Sequence, residues 1–168
     1  MASPADIAFL RTVPLFKDMS DPDLSALWQW LREKRLRAGD VLFREGDPGA
    51  EMFLVRSGST IVSKHVTGRV EQVLARNGPG DFTGEMSLFD RLPRSATISA
   101  ETATVLMGLN REDLDKFIES NPRAATAFFH QLVQVFIRRL RETTDLVAEV
   151  TRWGLESTGL DVEKGLHG

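Results

Sequence analysis

Pro79-Gly80-Asp81-Phe82-Thr83-Gly84-Glu85-Met86-Ser87-Leu88-Phe89-Asp90-Arg91-Leu92-Pro93-Arg94-Ser95-Ala96-Thr97 sets glycines, a lone acid, small hydroxyl residues and an arginine between two strand-like runs. A glycine opens a short apolar-rich turn there, so backbone N–H groups can approach an anion. Arg94 follows Glu85 by nine residues, and its forked cation suits two phosphate oxygens at once. A carboxylate beside that anion makes no sense for phosphate alone, because like charges repel. It makes sense if the ligand also offers a hydroxyl, since a carboxylate is a strong acceptor. Phosphate and ribose hydroxyl together imply a nucleotide. The alternative is an internal Glu85–Arg94 ion pair that closes an empty pocket.

Around this stretch the chain reads in three sections. Residues 5–31 are helical, with Ser20-Asp21-Pro22-Asp23 as a helix start: capping residue, proline, then acid in the first turn. Residues 34–109 turn to short strands broken by Gly39, Gly46, Gly49, Gly58 and Gly68. Met52–Val55 and Ser59–Val62 flank Arg56-Ser57-Gly58 and read as a hairpin. Short strands at regular spacing imply an antiparallel barrel or jelly roll. Residues 111–153 are helical again, with a short helix after Asn110 and a long one after Asn121-Pro122, and Gly154 is the expected stop. Residues 154–168 read as a partly ordered tail.

On the long helix, Phe129, Val133, Phe136, Leu140, Thr143, Val147 and Val150 step alternately by four and three. That is a heptad seam with one polar position. Phe128, Leu132 and Val135 form a second stripe. One stripe serves the barrel and the other a partner helix, which predicts a homodimer. A single broad stripe buried within one chain is the alternative.

Composition narrows the function classes. The 168 residues are 42% hydrophobic and 27% charged, with net charge −3 and no cysteine. A protein built to grip a nucleic-acid backbone carries a basic excess, and this one does not. Without cysteine there is no disulfide or thiolate metal site. No run approaches the ~20 apolar residues of a membrane span, and the N-terminus lacks a signal-peptide pattern, so the reading is cytoplasmic. His65, His130 and His167 are scattered without metal spacing. Asp81 and Asp90 read as turn and capping residues, and Ser87 and Ser95 have no histidine base near them in sequence. The expectation is a protein that is not an enzyme and holds no metal or cofactor.

Gly84-Glu85-x-Ser87-Leu88 followed by Pro93-Arg94-Ser95-Ala96-Thr97 resembles the phosphate-binding cassette of cyclic-nucleotide-binding domains. The resemblance implies a mainly β fold with flanking helices: an antiparallel jelly-roll barrel with N-terminal helices, the cassette as an internal helical turn, and a long C-terminal helix. It implies that Arg94 holds the cyclic phosphate and Glu85 accepts the ribose 2′-hydroxyl. Met86, Ser87 and Ser95 present N–H or hydroxyl groups, and Phe82, Gly84 and Ala96 complete the cassette's ligand set. Leu74 packs under the purine.

Arg138-Arg139-Leu140 followed by Thr143-Thr144 is similar to the dimer helix of the family's catabolite-activator branch. By that likeness Thr143 and Thr144 meet the base, and Arg139 braces Glu85. The ligand implied is cAMP, with cGMP second.

The domain then spans 1–153. Only 15 residues follow Trp153, too few for the winged helix-turn-helix of that branch. The expectation is therefore a stand-alone receptor, without nucleic acid or membrane as partner, that signals to a separate protein effector. The alternative is a non-binding scaffold that keeps the fold for protein contacts.

Overall fold

The computed structural model describes residues 1–67 and 70–158. Gly68, His167 and the tail from residue 159 onward lie outside the described residues. The chain divides into two compact units, the first running Met1–Gln131 and the second beginning at Leu132. Each is described by itself.

The N-terminal helices begin with the same chemistry. Helix α1 (Pro4–Thr12) is capped by Ser3, whose hydroxyl accepts from Asp6 N–H while the Asp6 carboxylate accepts from Ser3 N–H. Helix α2 (Asp21–Trp28) repeats this reciprocal cap with Ser20 and Asp23. Each cap satisfies donors that a helix start leaves open, and is worth about 1 kcal/mol.

Among the described residues eight strands follow: β1 (Arg32–Leu36), β2 (Val41–Phe43), β3 (Glu51–Ser57), β4 (Thr60–Thr67), β5 (Val70–Asn77), β6 (Phe82–Thr83), β7 (Thr97–Ala100) and β8 (Thr104–Asn110). They form two four-stranded sheets, β1-β8-β3-β6 and β2-β7-β4-β5, with antiparallel pairing throughout. This is the jelly-roll architecture that the glycine-punctuated strands imply.

The hairpin expected across Arg56-Ser57-Gly58 does not form. β3 pairs with β8 and β6, whereas β4 pairs with β5 and β7. Gly58, at φ 82°, carries the chain from one sheet to the other. Two runs separated by a glycine turn look alike in sequence whether they pair or part. The distinguishing signal is burial: Met52, Phe53, Leu54 and Val55 are all buried, as befits a strand covered on both faces. The hairpin in this region is β4–β5, paired from Thr60↔Asn77 to Thr67↔Val70.

Alternation along β3 organises the core. Phe53 and Val55 point between the sheets, packing with Leu106, Leu36, Leu42 and Phe43. Met52, Leu54 and Arg56 point the other way, toward the N-terminal helices. There Arg56 pairs with Asp6 at 2.7 Å and lies over the rings of Phe9 and Trp28, 5.9 and 5.2 Å from their centroids. Leu10, Leu15, Phe16, Leu24 and Leu27 of the helical segment are fully or almost fully buried. At about 1.5–3 kcal/mol per buried large side chain, this layer and the inter-sheet layer dominate the fold's stability.

Helices α3 (Arg111–Ser120) and α4 (Pro122–Ser157) complete the described chain. Gly154 does not stop α4, which continues to Ser157. A glycine inside a helix costs only about 1 kcal/mol against alanine, so the helix can run through it. Phe128 of α4 stacks on Phe16, with centroids 6.1 Å apart.

Candidate functional site: the Glu85–Arg94 cassette

Strand β6 delivers the cassette. Phe82 and Thr83 pair with Leu54 and Phe53 of β3. Gly84 then takes a left-handed conformation, φ 78°, and starts a 3-10 turn, Glu85–Leu88. Any other L residue is strained at this φ. Space excludes it as well, since a Cβ on Gly84 would lie 2.7 Å from Arg94 Nη1 and 2.9 Å from the Glu51 carbonyl oxygen. The far end of the turn is tied by Arg111, which donates from Nε to Leu88 O at 2.8 Å and from Nη2 to Ser87 O at 2.5 Å.

Arg94 is fixed by both backbone and side chain. Its N–H donates to Asp47 O and its carbonyl accepts from Gly46 N–H, each at 2.8 Å. Its Nη1 donates to Glu51 O at 2.7 Å and to Gly84 O at 3.3 Å. The guanidinium sits over the Phe43 ring, 4.0 Å from the centroid. Gly49 borders it so closely that a Cβ there would fall inside the group.

The residue is only 6% exposed, and its Nε is buried with no hydrogen-bond partner among the described residues. Burial lowers the pKa of Arg94, and the charges of Glu51 and Asp47 work against that shift. An arginine keeps its proton even so. What results is a clamped cation with an unsatisfied donor, an arrangement that an anion would complete.

The other expected site residues fall into two groups. Glu85 and Ser87 are buried in the same turn, Phe82 is buried just before it, and Met86 between them is half-exposed. Ser95 is exposed and Ala96 half-buried, directly after Arg94. Leu74 lies on β5 with its side chain exposed. Arg139, Thr143 and Thr144 belong to the second unit and are exposed along α4. The threonine hydroxyls donate back to their own helix, to Arg139 O at 2.8 Å and Leu140 O at 2.9 Å. Asp81 and Asp90 close turns, accepting from Gly78 and Leu92 N–H.

Four site residues escaped the sequence reading: Phe43, Gly49, the carbonyl of Glu51, and Arg111. Phe43 and Gly49 look like strand and turn residues, and no side-chain pattern announces a backbone acceptor. Arg111 did leave a signal. It is the first residue of α3, where the helix dipole disfavours a cation. A cation at the wrong end of a helix has another task, and here that task is holding the cassette.

The family model for the cyclic nucleotide-binding domain matches residues 33–121. The chain is 35% identical over 133 residues to the cyclic AMP receptor protein of Thermus thermophilus, covering 79% of this chain and 60% of that protein. It is 40% identical over 119 residues to a cyclic nucleotide-gated potassium channel of Mesorhizobium japonicum, covering 71% of this chain and 32% of the channel. The crystal structure of the N-terminal domain of a Streptomyces coelicolor transcriptional regulator superposes with TM-score 0.72 at 37% identity, covering 83% of this chain and 94% of that one. With its cassette held on a jelly roll and the match spanning both, the chain belongs to the cyclic-nucleotide-binding domain family.

Proposed function

We propose that the chain is a receptor domain for a cyclic nucleotide, cAMP in preference to cGMP, with its long helix running through Ser157. The domain acts in the cytoplasm without catalysing a reaction, pairs with a second copy through its long helix, and passes the signal to a separate protein. In this reading Arg94 takes the cyclic phosphate and Glu85 the ribose 2′-hydroxyl. Met86, Ser87, Ser95 and Ala96 line the phosphate, with Phe82 and Gly84 shaping the turn. Leu74 packs on the purine, Thr143 and Thr144 meet its edge, and Arg139 braces Glu85.

The observation that carries the reading is the Arg94 side chain. It is clamped by two carbonyls and an aromatic face, yet keeps a buried Nε–H without an acceptor among the described residues. A phosphate oxygen would supply that acceptor together with the countercharge. The dimer rests on a different feature. Val133, Leu140, Val147 and Val150 are all more than half exposed on one heptad seam, and such a stripe fits a second copy of the same helix. The preference for cAMP rests on the threonines. A hydroxyl whose proton goes to its own helix offers lone pairs, which suit adenine's exocyclic amine better than the carbonyl oxygen guanine carries at that ring position.

A thermal-shift titration tests the core of this reading. At about 100 times the dissociation constant, cAMP should stabilise the fold by roughly 2.7 kcal/mol. Arg94→Ala should show no shift. If neither cAMP nor cGMP stabilises the wild type, the chain is a scaffold that kept the fold without the ligand.

A further inference from the structure

The interior face of β3 carries a charge that a phosphate site does not need. Glu51 alternates with Phe53 and Val55, so its side chain points between the sheets. Gly108 on β8 is what admits it: a Cβ there would collide with Glu51 Oε1. The carboxylate therefore lies over Gly108 beside the Phe53 ring. Its own backbone carbonyl holds Arg94 Nη1 at 2.7 Å. The same residue thus fixes the phosphate-binding cation through its main chain and sets an anion near it through its side chain. The charged groups that bear on the carboxylate are Lys34, from β1, and Arg94. Lys34 stands over Phe53, 5.5 Å from the ring centroid. The groups of β8 beside it, Gly108 and Asn110, are uncharged.

We infer that Glu51 is an affinity-setting residue of the cyclic-nucleotide pocket: its carboxylate opposes the incoming phosphate, and binding draws a proton onto it. This rests on the reading of Arg94 as the phosphate ligand. Burial already raises the Glu51 pKa, while the positive charges of Lys34 and Arg94 hold it down. A phosphate on Arg94 cancels one of those positive charges and adds a negative one, so the carboxyl's pKa rises further in the complex. A group whose pKa rises on binding takes up protons, and affinity then increases as pH falls toward the free-state pKa. The device keeps the pocket weaker than its cation alone would make it. A receptor needs that restraint if it is to release ligand when the supply drops.

The test is calorimetric titration of cAMP into wild type, Glu51→Gln and Glu51→Asp from pH 5.5 to 8.5, repeated in buffers of different ionisation enthalpy to count protons. Wild type should bind more tightly as pH falls, with net proton uptake. Glu51→Gln should bind roughly tenfold more tightly at pH 8 and show neither the slope nor the uptake. Glu51→Asp keeps the charge and should keep both. Measurable binding with the same affinity and the same pH profile in wild type and Glu51→Gln overturns the role of Glu51 and leaves the pocket standing. Absence of binding by all three proteins at every pH overturns the pocket reading and this inference with it.

Discussion

The cassette and the long helix invert each other's chemistry. In the cassette, Glu85, Ser87 and Arg94 are polar or charged and buried, while the half-exposed side chain among them is Met86. Along α4 beyond Gln131, apolar Val133, Phe136, Leu140, Val147 and Val150 are exposed. Buried polar groups are tolerable only when bonded, and backbone groups of Gly84 in the cassette and of Gly46, Asp47 and Glu51 outside it all hold Arg94. An exposed apolar seam lowers its free energy only by meeting another surface. The first region is preorganised by one chain and awaits a small ligand. The second is regular in itself and, in the proposed dimer, meets a second copy of the same helix. Two mutations should separate these dependencies, and two finer ones should sharpen the division.

Arg94→Ala should have the largest effect. It removes a charge-assisted bond worth about 1.5–3 kcal/mol and leaves the phosphate without its cation, so cAMP affinity should fall by at least ~100-fold. The free protein should keep its fold, because the same change also removes a desolvated cation with an unsatisfied Nε. Calorimetry and circular dichroism on the one variant read both outcomes. Wild-type affinity would remove Arg94 from the site.

Phe136→Glu should be next. It puts a charge into both copies of the seam at once, a penalty of about 3 kcal/mol or more on association. Sedimentation should show dimer for the wild type and monomer for the variant, while cassette chemistry within the chain stays intact. A wild type that sediments as a monomer at high micromolar concentration, with and without cAMP, breaks the comparison on the helix side.

How legible each region is follows from the same contrast. Cassette residues carry rare chemistry at fixed spacing, so Gly84, Glu85, Ser87 and Arg94 stand out in the sequence. Their supports do not. Phe43, Gly49 and the Glu51 carbonyl act by position or through the backbone, and a strand phenylalanine or a turn glycine looks the same whether or not an arginine rests on it. The helix is legible through periodicity. Spacing alone separates Phe128, Leu132 and Val135, which are buried, from the exposed stripe.

Periodicity says little about where a helix ends, and α4 runs three residues past Gly154 to Ser157. The sheet order was least legible. Pairing is a long-range property, so Gly58 reads as a hairpin turn although it is a crossover between sheets. Four consecutive buried residues in β3 were the available clue.

Glu85→Gln should produce a smaller and more selective change. A carboxylate accepting from the ribose 2′-hydroxyl makes a charge-assisted bond, and the amide makes a neutral one. Wild type should therefore bind 2′-deoxy-cAMP about tenfold to thirtyfold more weakly than cAMP, with most of that gap gone in the variant. Equal affinity of the wild type for the ribo and deoxy ligands would remove Glu85 from the sugar.

The smallest effect joins the two regions. Thr143 and Thr144 sit on the exposed helix, yet their proposed task is to read the base held by the cassette. Each hydroxyl now donates to the carbonyl four residues back. In that state it is an acceptor, matched to adenine's exocyclic amine, and it would have to give up the helix bond to donate to guanine's carbonyl oxygen. One such mismatch is worth about 1.4 kcal/mol, a tenfold preference for cAMP over cGMP. Replacing both threonines by alanine should erase most of it while raising helix propensity slightly, so the double variant should lose selectivity without losing thermal stability. Competition titration against one labelled cyclic nucleotide measures the ratio directly. Tighter binding of cGMP by the wild type sinks the base assignment and spares the phosphate clamp. An unchanged ratio in the double variant moves base recognition off the helix, and cassette and seam would then work independently.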